Sequence, residues 1–122
     1  MSLKKRIASF QYAFRGVRNL FKSQPNARIH VVVALLVVAA GFIFNLSRME
    51  WVAVVICVAL VLSLEAMNTA IEHLTDLASP DFHPLAGKAK DVAAAAVLLA
   101  AIGAVMVGTI IFLPKLLTCF SI

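Results

Sequence analysis

The chain has 122 residues, 62% hydrophobic and 14% charged, with a mean hydropathy of +0.97 and a formal net charge of +5. Soluble domains are about 45–50% apolar and about 25% charged, so these values exclude a water-soluble fold, and the low charge excludes a disordered chain. Two cysteines exclude a disulfide-stapled scaffold, and the length holds one small domain, which leaves an all-α integral membrane protein.

Leu3, Ile7, Phe10, Phe14, Val17 and Phe21 recur at spacings of four and three, with Lys4, Arg15, Arg18 and Lys22 on the flank. This pattern predicts an amphipathic helix over 2–23 lying on the membrane surface, and its phenylalanine stripe argues against nucleic-acid binding. Ile29 to Leu46 is an apolar run of 18 residues interrupted by His30, Gly41 and Asn45. At about 1.5 Å per residue it reaches roughly 27 Å, so a first span is expected over 28–47. The basic segment before it is too long for the leader of a secretory signal, so the span is expected to be retained.

Trp51 to Leu64 opens a second span that continues without Gly or Pro into an amphipathic stretch, giving one long helix over 50–78 with a cytoplasmic extension. Val92 to Leu113 supplies a third, expected over 86–114. Pro25, Pro80, Pro84 and Pro114 all fall between or beyond these runs, where a missing N–H is tolerated. Nine of the eleven basic residues lie before the first or third span, against Arg48 and Lys115 on the other side. The N-terminus is therefore expected in the cytoplasm and the C-terminus outside.

Five of the six acidic residues, Glu65, Glu72, Asp76, Asp81 and Asp91, fall in one 27-residue stretch. On a helix Glu65, Asn68, Glu72 and Asp76 share one face within roughly 80° of arc, with Thr69 at its border. Counted from Trp51, Glu65 lies about 21 Å along the axis, in the inner leaflet, and Glu72 is two turns deeper at the cytoplasmic interface. Lys88, Lys90 and Asp91 open the third helix on that side, and its alanines and glycines permit close helix contact.

Carboxylates in a membrane are costly and are functional candidates. Near water they can hold Mg²⁺ with polyphosphate, since Mg²⁺ takes one or two carboxylates together with phosphate oxygens. A deeper carboxylate can accept the proton of an alcohol, a division of labour that suits phosphoryl transfer to a lipid. Neither of the usual glycine-rich nucleotide loops is present. A proton-coupled small multidrug-type transporter using Glu65 remains open on these residues, as does ion pairing that merely orients helices.

The stretch Glu65-Ala-Met-Asn-Thr-Ala-Ile-Glu72, followed by Asp76 and by Ala89-Lys-Asp-Val-Ala-Ala-Ala-Ala-Val-Leu98, resembles the signature of the prokaryotic diacylglycerol kinase family, which includes undecaprenol kinases. The likeness extends to Tyr12–Arg18, Asn26–His30 and the Asp81-Phe-His-Pro connection. It implies a homotrimeric kinase of membrane lipid metabolism in the bacterial inner membrane, with active sites shared between subunits. Its partners would be ATP, Mg²⁺ and a lipid alcohol, either undecaprenol or diacylglycerol.

By this resemblance Glu65 is the general base, with Asn68 beside it. Glu72 and Gln24 are the metal positions. Tyr12, Gln24, Glu72, Asp81, Phe82, His83, Lys90 and Asp91 contact the nucleotide, and Lys5, Arg28 and Glu65 the lipid. At position 24 the family usually has Glu, and the Gln here predicts weaker Mg²⁺ binding. The Asn26-x-x-Ile-His30 and His83-Pro84 elements look more like the undecaprenol branch. Cys57, Cys119, Trp51 and Asn45 are expected to be structural, and His30 and His73 to serve structural or nucleotide-edge roles.

Overall fold

The computed structural model describes residues 2–121 as four helices: α1 (Leu3–Ser23), α2 (Pro25–Ile43), α3 (Arg48–Ala78) and α4 (Pro84–Phe120). The last three are each long and apolar enough to cross a membrane. At 31 residues α3 reaches roughly 46 Å, about 16 Å more than a hydrocarbon core, so one end stands in the aqueous layer.

Local chemistry sets each boundary. The Ser2 hydroxyl accepts the Lys5 N–H and caps α1. A single extended residue, Gln24, separates α1 from α2, and Pro25 takes the first helical position, where its missing N–H costs nothing. This starts α2 three residues before the expected edge of the span. Arg28 reaches back across the elbow and donates from Nε to the Phe21 carbonyl at 2.8 Å and from Nη2 to the Lys22 carbonyl at 2.7 Å, closing the open end of α1.

α2 ends where Asn45 adopts φ 52°, and the Leu46 N–H returns to the Gly41 carbonyl at 3.1 Å. This is a Schellman ending with Asn in the left-handed position. Ser47 and Glu50 then form a reciprocal capping box at the start of α3.

α3 is central and antiparallel to both neighbours. Against α2, Trp51 lies on Gly41, and a Cβ at position 41 would stand 2.5 Å from the indole ring. Trp51 also meets Phe42 with ring centroids 4.9 Å apart, so it packs the two helices together. Against α4, an ion pair joins each end: Glu50 with Lys115 at 3.1 Å, and Asp76 with Lys90. Leu46, Val54 and Ile111 form a small core near the turn between α2 and α3.

The third helix, expected to end at Pro114, runs through it to Phe120. Proline deprives the helix of one hydrogen bond there. The next residue, Lys115, is tied to Glu50, and the Thr118 hydroxyl donates to the Pro114 carbonyl, so contacts outside the backbone ladder carry the helix onward.

Candidate functional site

The C-terminal half of α3 carries the row of polar side chains at helical spacing. Glu65 is 3% exposed and Thr69 is buried beside it, with the Thr69 hydroxyl donating to the Glu65 main-chain carbonyl at 2.9 Å. Across the α2–α3 contact, His30 Nε2 stands 3.4 Å from Glu65 Oε1. A buried carboxylate is costly without a partner, and His30 supplies one from a second helix.

One turn along, the Asn68 amide donates to Glu72 Oε1 at 3.2 Å. The other atom of that amide, Oδ1, is buried and accepts no hydrogen bond. A buried acceptor without a partner carries a cost of about 1–3 kcal/mol, which a ligand at that point would relieve. Glu72 is half-buried. Farther out, Asp76 pairs with Lys90, which is also within Coulombic reach of Glu72. Glu65, Glu72 and Asp76 therefore descend α3 from a buried to an aqueous setting.

The remaining residues expected at the site stand apart from this row, with no hydrogen bond or ion pair joining them to it among the described residues. Tyr12 is exposed on α1 beneath the Arg15 guanidinium, 5.5 Å above its ring. Lys5 is exposed on the same helix, and Gln24 is half-buried at the elbow, its side chain unused in capping α2. Arg28 holds the end of α1. In the connection to α4, Asp81 and Phe82 are exposed, while His83 Nδ1 accepts the Leu85 N–H at 3.1 Å and caps α4. Asp91 is exposed on the first turns of α4.

Sequence reasoning did not anticipate the pairing of His30 with Glu65. The available signal was depth: both lie at similar distances from the turn that joins the antiparallel pair α2 and α3.

Among the described residues no group of three or more His, Cys, Asp or Glu side chains converges on one point. A carboxylate and a buried, unpartnered amide oxygen do adjoin one another at Glu72 and Asn68. These are hard oxygen donors, and Mg²⁺ bound with phosphates needs only one or two from protein. The residues present fit Mg²⁺ accompanied by a polyphosphate, and do not fit a metal caged by protein alone.

Residues 11–112 match the family described as prokaryotic diacylglycerol kinase. The chain is 40% identical over 114 residues to an undecaprenol kinase of Bacillus subtilis, covering 93% of each protein. It is 42% identical over 113 residues to a diacylglycerol kinase of Synechocystis, covering 92% of this chain and 65% of that protein. Similarity to the diacylglycerol kinase of Escherichia coli K12 is 34% over 95 residues, or 78% of each chain.

Proposed function

Since this chain belongs to the prokaryotic diacylglycerol kinase family and is a membrane lipid kinase, we propose that it transfers the γ-phosphoryl group of ATP to the hydroxyl of undecaprenol. Diacylglycerol is the second candidate acceptor. Matched length favours undecaprenol: the likeness to the Bacillus subtilis undecaprenol kinase covers 93% of both proteins, whereas the Synechocystis diacylglycerol kinase is matched over 65% of its length. The Asn26-x-x-Ile-His30 and His83-Pro84 elements point the same way.

The observation that carries the mechanism is the gradient along α3, from Glu65 at 3% exposure to the half-buried Glu72 with Asn68 Oδ1 unpartnered beside it. Glu65 receives the proton of the lipid hydroxyl. The hydroxyl oxygen forms a bond to the γ-phosphorus, the bond from that phosphorus to the β–γ bridging oxygen breaks, and ADP leaves with the electron pair. Burial keeps water, the competing acceptor, away from the base.

Glu72 and Asn68 would hold Mg²⁺ with the phosphates, assisted by Gln24. When bound, the ion neutralises charge on the phosphate oxygens. Lys90 and Asp91, with Tyr12, Asp81, Phe82 and His83, surround the nucleotide on the cytoplasmic side. Lys5 and Arg28 lie toward the lipid headgroup. The N-terminus is cytoplasmic and the C-terminus outside, as the distribution of basic residues requires.

Incubating the purified protein in bicelles with ATP labelled at the γ-phosphate and either lipid tests this reading. Label is expected in the lipid fraction, faster with undecaprenol, and Glu72→Gln is expected to raise the Mg²⁺ concentration required. Faster labelling of diacylglycerol would reverse the acceptor assignment, and an unaltered Mg²⁺ requirement would remove Glu72 from the metal.

A further inference from the structure

A cavity of about 380 Å³ lies between α2, α3 and α4 within the apolar zone. Its wall is aliphatic and aromatic from Val54 and Phe112 at the outer end to Ile29 at the inner end, and His30 is the one basic side chain on it. The same imidazole meets the Glu65 carboxylate, with Nε2 3.4 Å from Oε1. Glu65 is nearly inaccessible, whereas the His30 side chain is 25% exposed. His30 therefore stands at the border between the apolar cavity and the buried acid.

We propose that His30 is a positioning residue for phosphoryl transfer: its Nε2–H holds Glu65 Oε1 and so directs the carboxylate toward the acceptor hydroxyl. This rests on the reading of Glu65 as the general base. A carboxylate on a long side chain has several rotamers, and a base is effective only in the one that aligns a lone pair with the proton. In α3 itself, Thr69 fixes the Glu65 backbone by its hydroxyl and leaves the carboxylate free. Among the described residues His30 supplies the one polar side-chain contact to that carboxylate, and it comes from a different helix. At 3.4 Å the two groups are within ion-pair distance without being aligned as a hydrogen bond. Catalytic contacts of this kind commonly tighten when substrate binds. The proton taken from the lipid alcohol goes to Glu65, and His30 neither gains nor loses one in the step.

The test compares kcat and the KM values for ATP and lipid in wild type, His30→Ala, His30→Phe, His30→Gln and Glu65→Gln, each normalised to folded protein by its thermal transition. His30→Phe keeps a ring of similar size and removes the N–H, while His30→Gln returns an N–H at the position of Nε2. The alanine and phenylalanine variants are expected to lose about 10- to 100-fold in kcat, with the KM for ATP changed by less than about twofold. The glutamine variant is expected to recover to within about threefold of wild type. Should alanine prevent folding, the comparison of phenylalanine with glutamine carries the test alone. A kcat for His30→Phe within about twofold of wild type, or a glutamine variant no faster than the phenylalanine one, would overturn the assignment. Full kcat in Glu65→Gln would instead overturn the base reading on which it stands.

Discussion

Gln24 bridges two helices through its backbone alone: its N–H donates to the Leu20 carbonyl and its own carbonyl accepts from the Arg28 N–H, while the side chain caps nothing. That amide is free for a ligand, and it brings a carbonyl oxygen where a carboxylate would bring charge. Gln24→Glu is expected to lower the Mg²⁺ concentration for half-maximal rate about threefold or more, because divalent-cation affinity rises with ligand charge. An unchanged Mg²⁺ titration would remove position 24 from the metal. At this scale the row on α3 was legible in advance, since Glu65, Asn68, Glu72 and Asp76 lie on one helix and their relative placement follows from 3.6 residues per turn. The pairing of His30 with Glu65, and the clamp of Arg28 on α1, were not legible. Each joins residues of two elements, and spacing along the chain says nothing about rotation of one helix against another.

Helix order and type followed from hydropathy, whereas three helices start before the expected edges, at Pro25, Arg48 and Pro84, where a start signal is written in the residues. Pro25 at a first helical position, the Ser47–Glu50 capping box and His83-Pro84 are such signals. Pro114 misled because a proline is read as a stop, whereas here the ion pair of Lys115 with Glu50 holds the continuing helix against α3. The α2–α3 pair depends on the missing side chain at Gly41, where a Cβ would meet Trp51 at 2.5 Å and Leu46 at 3.0 Å. Gly41→Val is expected to destabilise the protein by about 1–3 kcal/mol through overpacking, read as a lower midpoint in thermal or denaturant unfolding in detergent. An unshifted midpoint would mean that Trp51 does not hold the two helices together. Close contact through small residues was expected of α4, which packs extensively on α3; the close approach at Gly41 of α2 was not expected, because Trp51 was read only as a membrane anchor.

The whole chain exposes 9195 Å². A compact soluble monomer of this mass exposes about 6,400 Å², so roughly 2,800 Å² more than that faces lipid or other copies of the chain. Three spanning helices make a thin wall, and the residues expected at the nucleotide site do not all meet within one chain. We propose that the protein is a homotrimer with sites completed between subunits. Crosslinking in bicelles is expected to trap a trimer that carries the activity, and a fully active monomer would contradict the shared site. The excess of apolar over charged residues was sufficient to predict the membrane and the number of spans. It said little about assembly, because lipid and a neighbouring helix cover apolar side chains equally well. The central claim is that Glu65, buried on α3 beside His30, is the base that activates a lipid hydroxyl toward ATP. Its most direct measurement is the rate of γ-phosphate transfer from labelled ATP to undecaprenol by wild type and by Glu65→Gln at saturating Mg-ATP. Labelled lipid from wild type and a loss of about 10²- to 10⁴-fold in the variant are predicted. Undiminished transfer by Glu65→Gln, or unlabelled lipid together with substrate-driven proton flux in vesicles, would contradict it.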